Sequence, residues 1–299
     1  MSNKEYDANV WEKIEEFYDK LSDDKKIKQD TWEVEIKDGE NTTFYKLSED
    51  PKQRLSALFL SSYLSTTWHK ITLTEEQRNE LLCDNNIKDN AAKKIEEYIK
   101  AKESDGKKSD GLVKLKDFWE SVTTFLGHLE LKEYDFSKKQ TANFEKLNDA
   151  AKKCKIKDEK CKDKDEKKPK TYKNFIYENA VEPYHTILNL QKVINGFGIA
   201  LACDFLKEAH FCNIAKPDVH ICHTFSVIDG ISYSMDLALV KRVLEFANNV
   251  CEAKDDDFCH SGAYYVDKII WKICKEDSLK KDLLEKLADL RKQQIRIKL

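Results

Sequence analysis

A chain of 299 residues with only 8 glycines and 4 prolines offers few places where a regular backbone can be broken. Tight β-turns draw heavily on those two residues, so the scarcity argues against an all-β fold. Lys, Glu, Leu and Ala are abundant, and each is a good helix former. The expected fold class is mostly α.

The spacing of apolar residues places the helices. Over 4–22, Val10, Trp11, Ile14, Phe17, Tyr18 and Leu21 fall on one face. Residues 31–47 break that pattern: Trp32, Val34 and Ile36 alternate with charged residues, and Asp38-Gly39 is a turn signal. A small N-terminal β-hairpin is expected there. Ser48-Glu49-Asp50-Pro51 is a helix start, and 51–68 continues as an apolar helix. Thr74 and Gln77 form a capping box for 75–84. Further helices are predicted over 89–102, 112–127 (ended by Gly127), 185–194, 199–209, after Asp218, and over 235–250, 264–273 and 276–297.

These elements suggest three regions: an N-terminal helical region (1–150), a lysine-rich linker or insertion (151–173), and a C-terminal helical region (174–299). Between Lys152 and Lys173 stand 11 lysines and 5 acids, a solvated tract or a contact for nucleic-acid backbone. Net charge is −3, so a nucleic-acid partner would need a local basic patch. The nine cysteines show no disulfide framework. Cys203, Cys212, Cys222 and Cys274 sit beside apolar residues and read as free buried thiols. The acidic N-terminus lacks an apolar core of signal-peptide length, and no apolar run reaches membrane-spanning length. A cytoplasmic protein is expected, nucleoid-associated or nuclear if it acts on DNA.

Candidate chemistry concentrates in Asn195–Phe225. Gly196-Phe197-Gly198 is a turn opening a helix, and its backbone N–H groups with those of the helix N-terminus suit a phosphate. The same turn could equally be a plain helix-to-helix connection. About twenty residues on, Lys216-Pro217-Asp218 sets up another helix start. Asp218 is either an N-cap or a carboxylate placed to stabilise positive charge on a sugar carbon.

NGFGIALACDF followed by KPDVHICHTF resembles the signature of the helix-hairpin-helix (HhH-GPD) DNA glycosylase superfamily, in particular its 8-oxoguanine glycosylase and endonuclease III branches. Ile194-Asn195-Gly196-Phe197-Gly198 matches the family's hairpin turn, with Asn in place of Pro. Ala202 matches a small residue between the two helices. Asp218 matches the catalytic Asp, and His220 the His after it. The resemblance covers roughly residues 175–275.

The resemblance implies a two-lobed helical fold whose halves flank a cleft that receives a flipped-out base. It implies DNA contacts from Asn195, Gly196, Phe197, Gly198, Ile199 and Lys216, through backbone donors that a monovalent cation can assist. Trp68, Phe118, Trp119, Tyr184 or Tyr233 could line the pocket or simply pack the core. Bifunctional members carry a lysine where this chain has Ala200, so a monofunctional enzyme with water as nucleophile is implied. Lys192, Lys207 and Lys216 do not occupy the matching position.

Cys154 and Cys161 reproduce the first interval of the family's iron–sulfur loop, but the other two cysteines do not follow, so no cluster is expected. The groups His220, Cys222, His223 and Cys251, Cys259, His260 fit no common zinc spacing. No P-loop, dinucleotide fingerprint or nucleophile elbow occurs.

Overall fold

The structure is a computed structural model, and it describes residues 2–23, 25–27, 33–38, 41–46, 50–67, 73–84, 86–128, 184–209, 214–254 and 262–298. The lysine-rich tract with Cys154 and Cys161 lies outside these residues, as do Trp68, Cys212, Cys259 and His260. The described residues are mostly helical. Among them, no helix is long and apolar enough to cross a membrane.

The chain divides into two compact units that are not sequential. Unit 1 joins Met1–Gln29 to Cys212–Leu299, and unit 2 is Asp30–Phe211. The boundaries of these units fall beside 29 and 211, and the expected boundaries at 150 and 173 lie outside the described residues.

Unit 2 begins with β1 (Glu33–Asp38) and β2 (Asn41–Lys46), an antiparallel pair in the register Glu33 to Lys46 through Asp38 to Asn41. Its helices among the described residues are α2 (Pro51–Thr67), α3 (Glu75–Leu82), α4 (Ile87–Ser104), α5 (Asp110–His128), α6 (Tyr184–Val193) and α7 (Ile199–Glu208). Local chemistry sets several starts. Asp50 accepts the Gln53 N–H at 2.8 Å, ahead of Pro51, whose missing N–H costs nothing in a first turn. Thr74 and Gln77 exchange the two bonds of a capping box. Gly127 does not end α5, which runs on to His128.

The core of unit 2 is aromatic. Phe59 on α2 stacks on Phe205 of α7 with ring centroids 3.7 Å apart, and Tyr63 stacks on Phe118 of α5 at 4.0 Å. Phe125 meets Phe59 edge-on at 5.8 Å. Such rings bury large apolar areas and fix mutual geometry, which holds α2, α5 and α7 together. Phe118 and Trp119 are fully buried here, so both are core residues.

Unit 1 contains α1 (Asn3–Asp19), α8 (Val219–Asp229), α9 (Leu237–Lys254), α10 (Gly262–Cys274) and α11 (Asp277–Lys298). Val10, Trp11, Ile14 and Phe17 of α1 bury against Phe225, Phe246, Val250, Ile270 and Leu283 of the C-terminal helices. Trp11 and Phe225 each meet the Phe246 ring edge-on.

A charged cluster ties these helices. Asp7 on α1 is 1% exposed and accepts two bonds from Arg242 of α9, at 2.7 and 3.1 Å. Arg242 also donates to both oxygens of Asp229, at 2.8 and 2.9 Å. Asn249 completes Asp7 at 2.7 Å, and the Tyr233 hydroxyl donates to Asp229 at 2.7 Å. The guanidinium carbon lies 5.7 Å from the ring centres of both Phe225 and Phe246. Burial opposes its charge, but the bonds from Asp229 and Asp7 outweigh that and hold its pKa above the ordinary value.

The expectation that the cysteines form no disulfide framework is corrected at one position, Cys251. Cys83, Cys203, Cys222 and Cys274 are free, whereas Cys251 on α9 is disulfide-bonded. A disulfide belongs to an oxidising environment more readily than to the reducing one expected.

Removing Arg242 leaves a buried carboxylate without its cation. Arg242→Met should therefore lower the unfolding free energy by about 3–5 kcal/mol, read by urea denaturation. Arg242→Met with Asp7→Leu should recover part of that loss. Equal stability of Arg242→Met and wild type would contradict this account of unit 1.

Candidate functional site

The turn from α6 to α7 lies in unit 2, and Lys216, Asp218 and His220 lie in unit 1. Each group is built by its own local contacts.

At the turn, Gly196 adopts φ +71°, a left-handed conformation that side chains other than glycine enter at a cost. The Asn195 N–H donates to Ser121 Oγ on α5 at 3.0 Å, anchoring the turn from outside. Phe197 anchors it from inside: its ring is 2% exposed and packs 5.4 Å from Phe59 and 5.9 Å from Phe118. Its N–H donates to Ile194 O at 3.2 Å. The Phe197 ring is thus part of the core and sets the turn.

Gly198 is the N-cap of α7, with extended φ −75° and ψ 175° and no side-chain hydrogen bond to the helix. A Cβ there would meet nothing within 4 Å. The first-turn amides, beginning with partly exposed Ile199, thus keep their positive end without a capping side chain. A small anion or a carbonyl-bound cation bridging to one suits this geometry.

The start of α8 is filled. Asp218 is its N-cap, and Oδ1 accepts from the N–H of His220 at 2.9 Å and of Ile221 at 3.0 Å. These two bonds fix the carboxylate, and both fall on the same oxygen. The approach to Asp218 is held by α10: Asp267, 1% exposed, accepts the Lys216 N–H through Oδ2 at 2.6 Å. Ile214 and Ala215 bury just upstream.

His220 meets Asp218 through its backbone N–H, not through its ring. Its Nδ1 is buried without a hydrogen-bond partner among the described residues. Burial holds the imidazole below its ordinary 6.5; Asp218 opposes the shift, and Lys280, Lys275 and His223 add to it. Cys222 donates its thiol to Tyr233 O at 2.9 Å. Among the described residues no group of three or more His, Cys, Asp or Glu side chains could hold a metal ion. Lys207 on α7 is 4% exposed, with Asp204 and Glu208 oxygens 3.5 Å from its amine.

The sequence reading missed Asp267. A lone Asp between Val266 and Lys268 in an apolar helix was its only signal. No protein-family model matches the chain, and neither a curated protein nor a solved structure does.

The imidazole shift gives a pH test. Between the lowered folded pKa and 6.5, the unfolded chain binds a proton that the folded protein does not. His220 therefore reduces stability as pH falls below 6.5 and is neutral in effect above it. Thermal melts on the acid side of that value should fall less steeply for His220→Gln than for wild type. Parallel pH profiles would contradict the assignment.

Proposed function

We propose that the protein is a monofunctional DNA glycosylase with a two-lobed, HhH-GPD-like fold. It hydrolyses the N-glycosidic bond of a damaged or modified base. The observation that carries the reading is the open N-terminus of α7. A left-handed Gly196 turns the chain, Gly198 brings no capping group, and the space around it is clear. Backbone donors gathered this way fit a DNA phosphate, directly or through a monovalent cation at the turn.

The second support is the fixed carboxylate. Departure of the base develops positive charge on the anomeric carbon, and a pre-oriented carboxylate lowers the energy of that state. Among the described residues both capping bonds fall on Asp218 Oδ1, and in this reading Oδ2 faces the sugar or water. In the proposed reaction water adds to the anomeric carbon as the bond to the base nitrogen breaks. The bonding pair leaves with the base, which takes up a proton, and the water proton passes to Asp218 or to solvent. Ala200 has no amine, so no Schiff base forms at that position. His220 supports the acid as the residue whose N–H orients it.

A second reading, a helix-hairpin-helix module that binds DNA without chemistry, draws on the same bonds. The cap alone is a sufficient reason for Asp218.

An abasic-site assay separates the two. Oligonucleotides bearing a panel of damaged and hypermodified bases are incubated with the protein and then treated with hot alkali or left untreated. The expected result is alkali-dependent cleavage on one substrate. Asp218→Asn, which still caps a helix well, should reduce that excision by about 10²–10⁴-fold. Full excision by Asp218→Asn would overturn the assignment. Cleavage without alkali would overturn the monofunctional reading. Binding with no abasic product on any base would favour the non-catalytic module.

A further inference from the structure

Two buried polar atoms of α8, His220 Nδ1 and Thr224 Oγ1, have no hydrogen-bond partner among the described residues. Thr224 is 0% exposed. A hydroxyl or ring nitrogen left unpaired in a core forfeits its hydration and gains nothing back, so such atoms are rare and call for a partner.

The two atoms belong to one place. His220 and Thr224 are four residues apart on α8, so their side chains lie on the same face, with Cβ atoms about 5–6 Å apart. Other side chains of this helix settle locally. Ser226 donates to Cys222 O, one turn back, at 2.7 Å, and Cys222 donates to Tyr233 O. Thr224 could close the same backward bond to the His220 carbonyl and does not.

A third group meets Thr224 from α10. Cys274 is 4% exposed, and burial pushes its thiol up. The Thr224 hydroxyl is near enough to oppose that shift, yet it completes no hydrogen bond. The thiol therefore keeps its proton and is a weak donor. The charged and titratable groups acting on the imidazole are Asp218 and His223 of α8, Lys275 after α10 and Lys280 of α11. Burial leads, and with Lys280, Lys275 and His223 it outweighs Asp218 and favours the neutral ring.

We infer that His220 Nδ1, Thr224 Oγ1 and the Cys274 thiol enclose a binding site for one water molecule, which fixes the imidazole as its Nε2–H tautomer. One water spans two polar atoms at this spacing with a normal bond to each. The supply of protons sets the tautomer. The water brings two, Thr224 one and Cys274 one, and the Nδ1 lone pair is the acceptor that receives them best. With Nδ1 accepting, the ring proton sits on Nε2. His220 is then an uncharged donor held beside the cap of α8. The site does not depend on the DNA reading.

Two measurements on the full chain test it. In a high-resolution crystal structure, a water should lie within about 2.6–3.2 Å of both Nδ1 and Oγ1. In histidine-labelled protein, about one pH unit above 6.5, nitrogen-15 shifts should give an N–H at Nε2 and a lone pair at Nδ1 for His220, identified by its loss in His220→Gln. Thr224→Val matches the size of Thr224 without its hydroxyl. It should lower the ratio of Nε2–H to Nδ1–H tautomer by about fivefold, the worth of one neutral hydrogen bond, and Thr224→Ser should keep the wild-type ratio. A site without that water, or a direct bond between Nδ1 and Oγ1, would overturn the inference. So would a wild-type His220 protonated at Nδ1, or an unchanged ratio in folded Thr224→Val. If that variant does not fold, the wild-type density and spectrum decide alone.

Discussion

The arrangement of unit 1 depends on Arg242. One guanidinium, flanked by two phenylalanine rings, joins Asp7 of α1 to Asp229 at the end of α8. Asp7 and Arg242 are 235 residues apart, so this contact draws the chain's two ends into one core. Two buried-side carboxylates against one cation would be unfavourable without further donors, and Asn249 and Tyr233 supply them. The same cluster reaches Tyr6, whose hydroxyl donates to Ile228 O at 2.9 Å. Burial first, then the Asp229 and Asp7 charges, push that phenol up to about 12. The C-terminal end of α8 is also closed from α11. Gly230 takes φ +72°, and Arg291 donates to Val227 O at 3.3 Å. A Cβ on residue 230 would stand 2.6 Å from the Arg291 guanidinium. With its far end held this firmly, α8 presents Asp218 on a rigid support.

The helix starts of α7 in unit 2 and of α8 in unit 1 are opposites in chemistry. At α7 the cap is a glycine, and no side chain caps the first turn. At α8 the cap is a carboxylate and the amides orient it. Aromatic packing determines the first: Phe197 locks into the Phe59–Phe118 cluster, which leaves Gly196 and Gly198 on the outer side. A buried acid determines the second, because Asp267 holds the backbone two residues before Asp218. The uncapped glycine start and the placement of the carboxylate thus come from separate local structures.

Local features were legible in the sequence because they are written in adjacent residues. The Thr74–Gln77 box, the Asp50-Pro51 start and the Asp218 cap each need only a few neighbours, and each forms. Most helix ends fall within a few residues of their predicted places for the same reason. The burial of Phe197 was not legible, because a residue between two glycines looks exposed while its ring has a core to enter. The discontinuous unit 1 was not legible, since nothing in Asp7 points to a residue 235 positions away. Asp267 was hidden for a similar reason: its partner is a backbone amide, which carries no sequence signature.

The central claim is that Asp218 faces developing positive charge on a sugar, and it can be tested without knowing the base. Two duplexes would be compared, one with a cationic pyrrolidine in place of a nucleoside and one with a neutral tetrahydrofuran. The account predicts that the protein binds the cationic duplex at least about 10²-fold more tightly, as expected for a transition-state mimic. Asp218→Asn should abolish that preference while retaining affinity for the neutral duplex. Equal affinity of wild type for the two duplexes, or a preference that survives Asp218→Asn, would contradict the claim.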